Sequence, residues 1–290
     1  MNDTIKVLAL DLDGTLTNTK KEITTRTRAA LRRAAEAGVR IVLASGRPTV
    51  GVQYLAKELE LDKLGGYILS YNGGCIVDCA TGAVVAQEAF PPELVKPVCD
   101  EARATGAVAM SYNAEGVITE HPEDEYVQLE CFTCRVPAIP VEDLGSFIDF
   151  DVNKILLSKN PDEIARVEEH MQQKFAGRLS IYKSMPYFLE IMPLGVEKAQ
   201  SLRALLTILG LTEENLMACG DGWNDISMIR LAGVGIAMGN AVPQVKQAAT
   251  WVTADNNHDG VGLAVEKFIF EEKVELPPED EFLFLSLIHI

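Results

Sequence analysis

Short apolar runs alternate with longer stretches of helical spacing through the first third of the chain. Residues 5–10 read as a buried strand, and 24–37 as a helix ending at Gly38. Residues 39–44 are again apolar and rich in branched side chains, 48–60 return to a helical pattern, and 67–70 to a strand. Strands that are apolar on both faces belong in a parallel sheet covered by helices, so the pattern predicts an α/β fold: a doubly wound, mostly parallel, Rossmann-like sheet.

After Asn72-Gly73 the character changes. Thr81-Gly82 separates two apolar segments as a hairpin would, and Pro91-Pro92 precedes a helix. Strands at 107–112, 116–119, 152–157, 178–183 and 187–192 then mix with a helix over 161–175 that starts at Asn160-Pro161. The earlier alternation resumes only at Lys198, which opens the amphipathic run Ala199 to Leu209. An inserted α+β domain over 83–190 is therefore expected, within a core made of 1–82 and 191–270. The connectors near 80–84 and 190–195, the second with Pro193 and Gly195, are the expected hinges. Residues 271–281 read as a solvated acidic linker, and the apolar segment 282–290 is far too short to span a bilayer.

Polar residues at the ends of the apolar runs bring in chemistry. Asp11 and Asp13 follow the first strand and precede Gly14, and Gly220-Asp221-Gly222-Trp223-Asn224-Asp225 follows the run Leu216 to Cys219. In open α/β sheets ligands bind beyond the carboxyl ends of strands, so these carboxylates face a cleft. A lone Asp-x-Asp also suits a helix cap or an Asx-turn; the second cluster is what favours a site. Oxygen ligands from two strand ends suit a small hard cation such as Mg²⁺, and the lack of His or Cys in the cluster argues against zinc. An aspartate beside a metal can attack a phosphoryl group, with Asp11 the nucleophile and Asp13 the general acid and base. Ser45-Gly46-Arg47, at the end of another strand, and Lys198 are the candidate partners of the transferred group. Taken alone, Lys198 reads as a solvated lysine at a helix start, and Pro48 as a first helical residue.

Together, Asp11-Leu12-Asp13-Gly14-Thr15, Ser45-Gly46-Arg47, Lys198 and Gly220 to Asp225 resemble the four ordered motifs of the haloacid dehalogenase-like (HAD) superfamily. Tyr71-Asn72-Gly73-Gly74, Met238-Gly239-Asn240-Ala241 and Asp259-Gly260-Val261 extend the resemblance, to its Cof-type phosphatases, as far as about Phe270. The resemblance implies an aspartyl-phosphate on Asp11, with Asp13 as acid and base. It implies a cation among Asp11, Asp13, Asp221 and Asp225, and phosphate or substrate contacts from Ser45, Gly46, Arg47, Asn72, Lys198 and Asn224. It also makes the inserted domain a cap that excludes water and reads the leaving group. Two positions depart from the family pattern. Glu197, where a small residue is usual, is placed to pair with Lys198, and Trp223 puts a bulky ring beside the second acidic loop.

Charge and cysteine content narrow the partners. A formal net charge of −16 repels nucleic acid and anionic membrane, so a phosphorylated substrate must be drawn by local charge. The amino terminus lacks a secretory signal, which points to a cytoplasmic protein, monomer or homodimer. Cys131-Phe132-Thr133-Cys134 lacks the two further ligands of a zinc site and reads as reduced thiols. The expected function is a Mg²⁺-dependent phosphatase acting on a small phosphorylated metabolite, either a sugar phosphate or a phosphorylated cofactor. A phosphomutase of the same superfamily and a non-catalytic phospholigand-binding protein are the alternatives.

Overall fold

The computed structural model describes residues 2–277, and the expectations for the segment from 278 onward lie outside the described residues. Strands β1 (Val7–Leu10), β2 (Arg40–Ala44), β3 (Gly66–Ser70), β4 (Cys75–Asp78), β5 (Val84–Gln87), β6 (Val108–Tyr112), β7 (Val117–Thr119), β8 (Ala138–Pro140), β9 (Ile155–Ser158), β10 (Leu179–Met185), β11 (Phe188–Pro193), β12 (Leu216–Gly220), β13 (Val234–Ala237) and β14 (Trp251–Val252) form two sheets. The chain divides into two compact units. Of the described residues, one holds 2–46, Leu55–Ala86 and 197–277; the other holds Arg47–Tyr54 and Gln87–Val196.

The first unit carries the sheet β14-β13-β12-β1-β2-β3-β4-β5. Its run from β14 to β3 is parallel throughout, and β4 joins antiparallel to β3. Every residue of β1, β3 and β12 is buried, as the uninterrupted apolar runs require of a strand covered on both faces. The helix Thr25–Glu36 starts where the Thr24 side chain accepts the Thr27 N–H and buries Ala30, Leu31 and Ala34, one face at helical spacing.

The single helix expected over 48–60 is instead a turn, Thr49–Gly51, followed by a short helix, Gln53–Glu58. Pro48, with ψ at 156°, is extended as a capping residue is, so it stands just before the turn instead of being the first helical residue. The segment Arg47–Tyr54 belongs to the second unit, where Gly51 lies so close to Cys134 that a methyl carbon would stand 3.0 Å from its sulfur.

The second unit carries the sheet β10-β11-β9-β6-β7-β8, antiparallel except for the pair β7-β8. Ile155, Leu157, Leu189 and Ile191 share its apolar core with Leu94 and Val98 of helix Pro92–Thr105 and Val167 and Met171 of helix Ile164–Lys174. Three elements here are absent from the sequence pattern: helix Glu125–Cys134, strand β8 and the short helix Leu144–Phe147. Helix Glu125–Cys134 buries Glu130 alongside Val127, Cys131 and Cys134, so its inward face has no continuous apolar stripe to read; its start is marked by Asp124, which accepts from Tyr126 N and Val127 N. The expected second connector is also corrected: Leu179 pairs with Pro193, so 190–193 are sheet. The six cysteines are free thiols, and burial raises the pKa of both Cys131 and Cys134. Among the described residues no helix is long and apolar enough to cross a membrane.

Candidate active site

Because β1, β2, β12, β13 and β14 run parallel, the loops that follow them leave the sheet at one edge. Asp11, one residue past β1, anchors the first loop by donating its N–H to Cys219 O at 3.0 Å. The loop then closes on itself, Leu16 N donating to Asp11 O at 3.2 Å and Thr17 N to Leu12 O at 2.9 Å. Gly14, at φ 79°, lies against the Asp221 carboxylate, where any side chain would collide.

Lys198 is wholly buried at the first residue of helix Lys198–Ile208, which corrects the solvated reading. Its ammonium donates to Asp11 Oδ1 at 2.6 Å, to Asp225 Oδ1 at 2.6 Å and to Ala44 O at 2.8 Å. Its three protons are thereby directed, and the expected pairing with Glu197 is replaced by pairing with Asp11 and Asp225. Asp225, also wholly buried, turns Oδ2 to the N–H groups of Asp221 and Gly222 at 3.0 and 2.9 Å. Asp221 accepts the Thr15 hydroxyl on Oδ1 at 2.9 Å and an Asn240 N–H on Oδ2 at 3.3 Å. Asp11, Asp221 and Asp225 each present a carboxylate oxygen to a group whose members all lie within 4.8 Å of one another.

The remaining sequence candidates fall into three places. Ser45 is buried; its carbonyl accepts the Asn72 N–H at 2.9 Å, and a methyl carbon on Gly46 would stand 3.1 Å from Asn72 Nδ2. Asn72 sits in the left-handed region at φ 54° and accepts Asn224 Nδ2 on its side-chain oxygen at 3.1 Å, so Ser45, Gly46, Asn72 and Asn224 form one polar group. The Asp13 carboxylate lies outside the set of Asp11, Asp221 and Asp225 and pairs with Lys21 at 2.7 Å. Arg47 belongs to the second unit, donating to Thr133 O at 3.2 Å and to Tyr54 Oη at 3.4 Å. Sequence reasoning missed Lys21 and Asn256, which carry no motif signal, and left Asn240 and Thr15 inside recognised segments without a role.

Residues 8–265 match the family model of the haloacid dehalogenase-like hydrolases. The chain belongs to this family. A haloacid dehalogenase-like hydrolase from Bacteroides thetaiotaomicron has the same fold at a TM-score of 0.88, with 42% identity over 91% of this chain and 99% of that one. The HAD subclass IIB sugar phosphatase BT4131 is similar at a TM-score of 0.74 and 27% identity, covering 91% and 98%. The 5-amino-6-(5-phospho-D-ribitylamino)uracil phosphatase YcsE of Bacillus subtilis is 32% identical over 270 residues, 91% of this chain and 96% of its own length. The chain is thus a HAD-like phosphatase of the Cof type, a phosphoric monoester hydrolase.

The electrostatics of this HAD-like site fit a divalent cation. Three carboxylates stand against one ammonium, so with all three ionised the cluster carries two negative charges in excess. Burial, then the neighbouring Asp225, holds the Asp11 pKa well above the usual carboxylate range, against the pull of Lys198. Asp221 is pushed up to about 6, mainly by burial, with the Thr15 hydroxyl opposing. Burial works against the charge on Lys198, but Asp11 and Asp225 outweigh it and raise its pKa. The donors are hard carboxylate oxygens, as Mg²⁺ prefers.

Proposed function

We propose that this chain is a Mg²⁺-dependent phosphatase that hydrolyses a small phosphorylated metabolite through an aspartyl-phosphate on Asp11. The observation that carries the reading is the buried ammonium of Lys198, 2.6 Å from both Asp11 and Asp225, in a cluster that retains an excess of negative charge. With all three carboxylates ionised, the single ammonium leaves the group short of two positive charges, which a divalent cation would supply. Relatives named for a sugar phosphate and for a phosphorylated ribitylaminouracil support a sugar phosphate or a phosphorylated cofactor precursor as substrate.

Asp11, Asp221 and Asp225 would hold the cation, which supplies positive charge against the phosphoryl oxygens and the attacking carboxylate. A carboxylate oxygen of Asp11 attacks phosphorus as the bond to the leaving oxygen breaks, and Asp13 gives that oxygen its proton. Water then attacks the phosphorus of the aspartyl-phosphate, Asp13 takes the proton, and Asp11 and inorganic phosphate are released. Lys198 keeps Asp11 oriented throughout, while Ser45, Asn72 and Asn224 offer donors to the phosphoryl oxygens. The pairing of Asp13 with Lys21 at 2.7 Å must open or loosen as Asp13 protonates the leaving group.

A panel of phosphorylated metabolites assayed for free phosphate tests this reading. Chelation abolishes release and Mg²⁺ restores it; Asp11→Asn lowers turnover by roughly 10,000-fold or more while the fold persists. Wild-type turnover in excess chelator sinks the metal assignment, and near wild-type turnover in Asp11→Asn sinks the nucleophile.

A further inference from the structure

Asn240 follows β13 and is exposed, yet its side-chain hydrogen bonds all join loops of the site. Nδ2 donates to Gly14 O at 2.8 Å and toward Asp221 Oδ2 at 3.3 Å, while Oδ1 accepts the Asn256 N–H at 3.1 Å. The last bond settles which end of the amide faces the carboxylate: with Oδ1 committed to a backbone donor, the N–H groups must point to Gly14 and Asp221. Asn256 in turn donates Nδ2 to Thr17 O at 2.9 Å, from a buried position. The backbone adds a parallel tie, Val242 N donating to Asp221 O at 3.1 Å. Loops after β1, β12, β13 and β14 are thus joined through one amide.

We infer that Asn240 is a positioning residue of the cation site: with Thr15 on the other oxygen, it sets the rotation of the Asp221 carboxylate and holds the Gly14 carbonyl beside it. The inference rests on the Mg²⁺ reading above. A carboxylate accepting one directed donor on each oxygen has one orientation, and a cation ligand so held costs less to order when the ion arrives. Removing the amide frees the Asp221 side chain to rotate and loosens Gly14, without touching Lys198, Asp11 or Asp225.

The measurement is Mg²⁺ binding by titration calorimetry on the full chain without substrate, alongside thermal unfolding in chelator. Asn240→Ala should weaken Mg²⁺ binding by roughly 10- to 100-fold, the range for partners that orient a metal ligand. Thr15→Val, of nearly the same volume, should weaken it in the same direction and serves if Asn240→Ala does not fold. Asn256→Ala is the structural comparison. It removes the buried bond to Thr17 but keeps the backbone N–H that orients Asn240, so it should lower the melting temperature in chelator while moving Mg²⁺ binding much less. Unchanged Mg²⁺ binding in Asn240→Ala and Thr15→Val, or an equal loss in Asn256→Ala, overturns the inference. Absence of Mg²⁺ binding by the wild type overturns the proposed cofactor itself, so the two failures are read from different titrations.

Discussion

Each unit of this chain buries a lysine, and the two lysines sit among different partners. Lys198, at a helix start in the first unit, faces Asp11 and Asp225 at 2.6 Å each, with Asp221 in the same group. Lys154, just before β9 in the second unit, is 3% exposed, 2.9 Å from Glu190 Oε2 and 5.2 Å from the centre of the Tyr112 ring. Burial lowers the proton affinity of both, and in both the neighbouring carboxylates more than restore it. Burial and pairing are therefore no sign of a catalytic lysine. What differs is the origin of the partners. Glu190 projects from the middle of β11, and Lys154 shares its sheet face: Glu190 pairs in register with Leu156, two residues on. The partners of Lys198 come from loops beyond parallel strand ends.

The largest test of this contrast replaces each lysine by methionine. Lys198→Met should cost roughly 100- to 1,000-fold in turnover at saturating substrate, the usual effect of removing a buried cationic or hydrogen-bond donor from a reacting group. Lys154→Met should leave single-turnover chemistry far less affected; an equal loss there with the fold intact would break the comparison.

Stability should separate the pair more finely. Lys154→Met alone strands Glu190 in the second unit and should cost about 3–5 kcal/mol in urea unfolding, whereas Lys154→Met with Glu190→Leu should recover most of that. A double variant no more stable than the single one would mean that the pair does more than balance charge.

The smallest effect concerns pH. Asp221 is raised to about 6 from its ordinary 3.8, so between these values the metal-free folded chain binds more protons than the unfolded one. Its contribution to stability therefore declines as pH rises from about 4 and levels off above about 6. Asp221→Asn removes this decline. The variant's melting temperature in chelator should gain on the wild type between pH 4.5 and pH 7; a constant difference would show that Asp221 does not carry a raised pKa.

Much of the candidate site was legible because its residues interrupt apolar runs. Asp11 follows β1, Ser45 follows β2 and Asp221 follows β12, so strand reading located them without knowledge of their partners. Helix Glu125–Cys134 was not legible: its inward face mixes Glu130 and two cysteines with Val127, and Glu130 is accommodated there by Tyr112, from another element, donating to it at 2.8 Å and by Cys134 at 3.2 Å. The helix expected across 48–60 failed for a similar reason. Gly51 is drawn against Cys134, some eighty positions away, and local propensity does not record that contact.

What the sequence determined by itself is the α/β alternation of the first unit and the placing of carboxylates just beyond its strand ends. These follow from hydrophobic period and from residues that end it, which are properties of neighbours along the chain. Only the tertiary structure decided that Lys198 is buried between Asp11 and Asp225, that Asp13 pairs with Lys21 and that Arg47 belongs with the second unit. It alone revealed that Asn240 ties four loops together. Whether a charged side chain is solvated or buried depends on groups brought to it from distant strands, as Asp11 and Asp225 are brought to Lys198, and a linear pattern contains no distance between them.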